Sequence, residues 1–168
     1  MLSINEGWLS VYKPINITSS KVVLKIKKKF KFKKIGHAGT LDPKAEGILP
    51  IAIGNATKLI SYVIDKKKKY KFSIQWGQQT TTDDSEGEII YRSKKIPNKS
   101  EINNSLFKFV GNINQVPPKY SSIKYHGKRS YDLSRKGIDF ELQPRRVELF
   151  SLQYIKNLNF NKSIFIAD

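Results

Sequence analysis

The chain has 168 residues, enough for one domain or one domain with an appendage that buries roughly two thirds of the surface its unfolded form exposes. Lys and Arg total 31 against 14 Asp and Glu, a net charge of +17 that fits a polyanionic partner, either nucleic acid or an acidic membrane surface. There is no cysteine, which excludes disulfides, thiolate zinc sites and a Cys nucleophile, and with two histidines, His37 and His126, a His-rich metal site is not expected. No apolar run approaches the roughly 18 residues of a membrane span, and the N-terminal MLSINEGWLSVYKP lacks the apolar core of a signal peptide, so a soluble cytoplasmic protein is expected. The basic residues are 26 Lys and 5 Arg. Lysine is a point charge suited to phosphate and arginine the better reader of bases, so this balance fits backbone binding more than base reading.

Residues 7–12 read as a short apolar strand closed by Lys13-Pro14. Thr18 or Ser19 can cap a helix whose Val22, Val23, Ile26 and Phe30 share one face, with Lys21, Lys25, Lys28 and Lys29 on the other. Residues 36–50 hold Gly36, Gly39, Pro43, Gly47 and Pro50, too many breakers for regular structure, and Ile51-Ala52-Ile53 follows as a brief strand. Thr57 can start a helix carrying Leu59, Ile60, Val63 and Ile64. Tyr70, Phe72, Ile74 and Trp76 alternate with polar residues, giving a strand with one aromatic face. A polar loop over 78–87 leads to a strand near 88–92, and Ser100 can cap a helix that turns Ile102, Leu106, Phe109 and Val110 inward before Gly111. Val116-Pro117-Pro118 breaks the chain, residues 130–136 read as a short helix ended by Gly137, and 146–156 and 162–166 read as strands. Strands and helices interleave without a regular βαβ rhythm, which predicts an α+β fold with a mixed, mostly antiparallel sheet flanked by helices.

The informative stretch is Gly36-His37-Ala38-Gly39-Thr40-Leu41-Asp42-Pro43-Lys44-Ala45-Glu46-Gly47-Ile48-Leu49-Pro50. It combines an imidazole, a hydroxyl and a carboxylate with glycines that admit another backbone, and long loops in compact domains tend to be functional. Asp42 precedes proline and is steered away from helix, so its side chain projects from an extended turn. By itself an Asp-Pro pair is more often only a turn, and the segment lacks the Gly-Lys-Ser/Thr ending of a phosphate-binding loop. Tyr70 read alone can be core, His37 a hydrogen-bonded loop residue, and the lysine runs at 25–34 and 66–69 either solvated faces or phosphate contacts.

Residues 36–50 resemble the signature G-H-x-G-x-L-D-P-x-A-x-G-x-L-P of the TruB family of tRNA pseudouridine synthases. Three further blocks match in order: Leu9-Ser10-Val11-Tyr12-Lys13-Pro14 with Thr18-Ser19 behind it, Lys69-Tyr70-Lys71-Phe72, and Gln115-Val116-Pro117-Pro118-Lys119-Tyr120-Ser121-Ser122-Ile123-Lys124 continuing to Gly137. The resemblance implies isomerisation of a uridine in the TΨC loop of tRNA, conventionally position 55, by base flipping and an aspartate-dependent rearrangement of the glycosidic bond. No atom is gained or lost, so no cofactor and no metal is expected. Asp42 matches the catalytic aspartate, acting as nucleophile or base. His37 matches the histidine that fills the space left by the flipped base, and Tyr70 the tyrosine that stacks on the uracil. Lys13 and Lys124 match positions that serve site structure and RNA contact. A non-catalytic tRNA-binding or RNA-folding module on the same scaffold is the alternative.

The match has departures. Thr81 stands where the family usually has aspartate, with Asp84 at a second acidic position, and Ser122 and Ser134 stand where alanine is common. After Ser163-Ile164-Phe165-Ile166 the family continues into a strand bearing the arginine that pairs with the catalytic aspartate, whereas this chain ends at Ala167-Asp168. On this reading residues 1–168 are the N-terminal and central part of a catalytic domain, and a C-terminal RNA-binding domain is absent. The strand at 163–166 is then expected to have an open edge, and the polypeptide alone to be poorly active or inactive with weakened tRNA affinity. A separately encoded C-terminal fragment is a candidate partner.

Overall fold

The computed structural model describes residues 5–121 and 123–168. Ser122 and the first four residues, on which part of the leader reading rested, lie outside them. The chain forms two compact units that divide between Lys67 and Lys68.

In the first unit, β1 (Gly7–Lys13) leads through a turn to α1 (Ser19–Phe30), β2 (Ile35–His37) and β3 (Gly47–Ile53). A 3-10 turn, Gly54–Leu59, then runs into the short α2 (Ile60–Ile64). The sheet order is β1-β3-β2, all antiparallel, with β3 paired to β1 from Gly7↔Ile53 to Lys13↔Gly47. Val22 and Val23 of α1 pack with Leu49 and Ile51 of β3, and Leu9, Val11, Ile17, Ile26, Ile35 and Leu41 close around them. Burying each such aliphatic side chain contributes about 1.5–3 kcal/mol, so this cluster fixes the helix on the sheet.

Two expectations change here. The irregular stretch shrinks to residues 38–46, because His37 ends a strand and Gly47 begins a seven-residue one. Pro50 is tolerated inside the central strand because its carbonyl accepts the Ala38 N–H (2.8 Å), so its ring nitrogen faces the side where β2 has already ended. Phe30 does not share the buried face of α1. It is exposed and stacks on Phe32 with centroids 5.7 Å apart.

The second unit contains β4 (Tyr70–Gln75), β5 (Gln78–Thr80), β6 (Ile89–Arg92), α3 (Lys99–Leu106) and a 3-10 turn, Phe107–Phe109. β7 (Gly111–Gln115), β8 (Lys124–Tyr125), β9 (Lys128–Arg129), α4 (Ser130–Arg135), β10 (Arg145–Leu149), β11 (Leu152–Asn159) and β12 (Lys162–Ala167) complete it. The main sheet is β11-β12-β4, and β10-β7, β5-β6 and β8-β9 form two-stranded ladders, all antiparallel. The α+β architecture is as the sequence predicts.

The strand at 163–166 is not an edge: β12 is the middle strand, and β11 and β4 take the edges. Phe165, 1% exposed, receives the Phe72 ring stacked at 5.7 Å and the edges of Tyr154 and Trp76. Buried Ser163 accepts the Trp76 indole N–H at 2.7 Å and donates to Asn157 at 2.8 Å. The run at 146–156 is two strands in different ladders. Backbone bonds from the Phe150 N–H to the Asp168 carbonyl and from the Asp168 N–H to the Ser151 carbonyl hold the break between them.

Asn98, not Ser100, caps α3. Its side chain accepts the Glu101 N–H and the Glu101 carboxylate accepts the Asn98 N–H, both at 2.9 Å, a reciprocal capping box. Phe109 and Val110 are exposed rather than turned inward. The Asn98 N–H and then Lys95 hold the Glu101 carboxyl below its ordinary value of 4.5. A depressed acid stabilises above that ordinary value and loses its contribution as pH falls through the folded one. Amide exchange should therefore show the Asn98 N–H losing protection on acidification below 4.5, and Asn98→Ala should cost about 1 kcal/mol in a denaturant titration.

No helix among the described residues is long and apolar enough to cross a membrane.

Candidate active site

The loop at 38–46 is held from both ends by its own unit. Ala38 donates to Pro50 across the mouth of the loop, and the Ala45 N–H closes a turn on the Asp42 carbonyl at 3.0 Å. Gly39 has φ +110, a conformation that L side chains rarely adopt, which accounts for glycine there. At Gly36 a Cβ would meet Ile60 Cδ1 at 2.9 Å, the mobile end of a side chain that a small shift would clear.

Leu41 packs against the Val22, Val23, Leu49 and Ile51 cluster, and the next residue, Asp42, stands exposed. Among the described residues no hydrogen bond or ion pair engages the Asp42 carboxylate. His37, half-buried, donates from Nδ1 to the Gly39 carbonyl at 2.6 Å. A carbonyl offers no proton, so Nδ1 carries the hydrogen, and in the neutral ring Nε2 is left as an acceptor.

The turn between β1 and α1 backs this loop. The Asn16 N–H donates to the Pro43 carbonyl at 2.6 Å, and Asn16 takes φ 63, which asparagine tolerates better than most residues. The Ser19 hydroxyl lies 3.0 Å from both the N–H and the carbonyl of Leu41. Lys13, 0% exposed, donates to the carbonyls of Pro14 (3.0 Å) and Ile17 (2.8 Å). Its amine is thus spent beneath the turn and has no surface for direct RNA contact. On the sheet next to the loop, the Tyr12 hydroxyl donates to Glu46 at 2.6 Å, and that bond holds the phenol above its ordinary value of 10.0.

Tyr70 and Lys124 belong to the second unit. Tyr70 opens edge strand β4 opposite Ala167 and is half exposed, whereas Phe72, on the same face, stacks on Phe165. Lys124 is exposed on the β8–β9 hairpin, whose turn is made by His126 (φ 46) and Gly127 (φ 81). This gives His126 a turn role that the sequence left unassigned. Among the described residues no three His, Asp or Glu side chains group as a metal site would require.

Sequence reasoning missed Asn16 and Ser19 as parts of the loop's support. The available signal was two adjacent hydroxyls, Thr18 and Ser19, at a helix start that needs only one cap. The Thr18 side chain takes the cap, accepting the Lys21 N–H at 3.1 Å.

The sequence profile of the TruB family pseudouridylate synthase (N terminal domain) matches residues 27–166. The chain belongs to the TruB family. Among its relatives, the tRNA pseudouridine synthase B of Ehrlichia ruminantium (strain Gardel) is 49% identical over 162 residues, 96% of this chain and 54% of that protein. The tRNA pseudouridine synthase B of Caulobacter vibrioides is 46% identical over 89% of this chain and 48% of its own length. A further relative from Rickettsia prowazekii (strain Madrid E) is 49% identical over 95% of this chain and 91% of its own length. The chain thus spans about half the length of the first two curated relatives and nine tenths of the third. Among solved structures, a chain in a Cbf5-Nop10-Gar1 complex superposes with a TM-score of 0.70 at 24% identity, covering 99% of this chain and 40% of that one. A likeness at that identity speaks for the TruB fold alone.

Proposed function

We propose that this chain carries the catalytic loop of a tRNA pseudouridine synthase that isomerises uridine 55 in the TΨC loop. The observation that carries the reading is an exposed carboxylate, Asp42, on a loop that the adjoining turn braces from behind. A reacting group needs that combination, and backbone binding has no use for it. Family membership supports the isomerisation. The TΨC loop as target rests on the motif resemblance.

Asp42 is the nucleophile or base. His37, its Nδ1 tied to Gly39, offers Nε2 and a ring face to the space a flipped base leaves. Tyr70, half exposed, offers a stacking face for the uracil. Flipping costs a few kcal/mol and each aromatic stack returns about 1–3 kcal/mol, so neither ring alone covers the cost and phosphate contacts must add to them. The +17 charge supports such contacts.

The reading is tested by release of hydrogen from uridine C5 in a tRNA transcript, using the chain alone and the chain joined to the remaining half of the Ehrlichia relative. Release from wild-type transcript, and none when position 55 is cytidine, is the expected result. Failure of both proteins where the intact relative succeeds overturns it. In the active form Tyr70→Phe should keep affinity for the transcript within about twofold, while Tyr70→Leu should weaken it by about 5- to 100-fold through loss of one stack.

A further inference from the structure

We propose that Ser19 is a positioning residue for Asp42, forming with the Asn16 amide a two-point bracket on the backbone either side of that carboxylate. The inference rests on the reading of Asp42 as the reacting group and adds the device that aims it.

Ser19 opens α1, yet Thr18 provides the cap, so the Ser19 hydroxyl is not needed by the helix. It is 2% exposed and both donates to and accepts from one residue. The oxygen accepts the Leu41 N–H and the hydroxyl hydrogen goes to the Leu41 carbonyl, both at 3.0 Å. The first bond fixes the peptide unit before Leu41, the second the unit that joins Leu41 to Asp42. On the far side, proline fixes the φ of residue 43 and restricts Asp42 to extended backbone. The unit that joins Asp42 to Pro43 is held by the Ala45 N–H on the Asp42 carbonyl at 3.0 Å, and the next carbonyl, that of Pro43, is held by the Asn16 N–H at 2.6 Å. The peptide units flanking Asp42 are therefore pinned, and what remains free is rotation within its own side chain.

Asn16 and Ser19 are three residues apart in one turn, and Lys13 holds that turn through Pro14 and Ile17. The bracket is thus one rigid piece and not two independent bonds. A short side chain that both donates and accepts is required at position 19. Alanine has neither a donor nor an acceptor to offer there. A loop loosened here displaces the carboxylate without touching the RNA surface, and a displacement near 1 Å is enough to cost about a hundredfold in rate.

The experiment compares wild type, Ser19→Ala, Ser19→Thr and Asp42→Asn by amide exchange in the 168-residue chain and by C5-hydrogen release in whichever form turns over. In Ser19→Ala the Leu41 amide should exchange at least about 100-fold faster while Val22 and Ile51 keep their protection, and kcat should fall about 10- to 100-fold with KM within about twofold. Ser19→Thr should restore most of both. Unchanged Leu41 exchange or unchanged kcat in Ser19→Ala overturns the bracket. So does exchange that rises equally at Leu41, Val22 and Ile51, which would mark Ser19 as a general stabiliser. Full activity in Asp42→Asn would instead sink the reading of the site, and the exchange data would still decide whether Ser19 holds the loop.

Discussion

Asp42→Asn should reduce uridine isomerisation by at least about 10³-fold while leaving affinity for tRNA within about twofold of wild type. Asparagine keeps the size and extended backbone of the residue but is neither a nucleophile nor a base at neutral pH, and losing such a group costs about 10²–10⁴ in rate or more. A thousandfold loss corresponds to about 4 kcal/mol of transition-state stabilisation. Stability should be unmoved, since the carboxylate is exposed and among the described residues nothing bonds to it. Affinity should hold because one neutralised carboxylate changes the +17 charge little. The measurement pairs filter binding at fixed salt with C5-hydrogen release from the same transcript. It also separates the enzyme from a non-catalytic RNA module, which would bind equally in both forms and isomerise in neither. Asp42→Asn retaining a tenth or more of the wild-type rate would falsify the assignment.

The loop at 38–46 was legible as irregular backbone in the sequence because its constraints are local. Asp-Pro restricts one backbone angle, Gly39 permits another, and the resemblance names the residues between. β1, a short apolar run closed by Lys13-Pro14, and β4, an alternating one, were legible for the same reason, since both patterns are properties of consecutive residues. What escaped depends on partners distant in the chain. Ser19 and Leu41 are 22 residues apart, and nothing near Ser19 says that its hydroxyl faces a backbone rather than a helix end. The division of residues 145–159 into β10 and β11 has no Gly or Pro to announce it, because the break is made by Asp168. Pro50 read as a breaker because the sequence did not reveal that β2 would stop at His37 and leave its missing N–H without a partner to disappoint. Phe30 followed the helical period of Val22, Val23 and Ile26 and is nevertheless exposed, since period counts angles and not the extent of the layer beneath.

The second large effect is expected at Lys13, which the structure shows as a buried strut. Its aliphatic stem fills space at 0% exposure and its amine serves two carbonyls, Pro14 and Ile17, inside the turn that carries Asn16 and Ser19. Lys13→Met keeps the length and volume of the stem and removes both bonds, leaving two carbonyls unpaired. The cost should be about 2–4 kcal/mol. For a chain of this size that corresponds to a fall of about 4–16 °C in Tm. Lys28→Met, on the exposed face of α1, removes the same charge and should stay within about 0.5 kcal/mol of wild type. The pair therefore separates charge from packing: unequal stability at equal loss of charge is expected, and equal stability would mean that the Lys13 amine holds nothing. Because the turn held by Lys13 is the one that reaches Leu41 and Pro43, the Leu41 amide should also lose protection in Lys13→Met and keep it in Lys28→Met. The destabilisation would then be felt first at the loop that presents Asp42, and only afterwards in the sheet behind it.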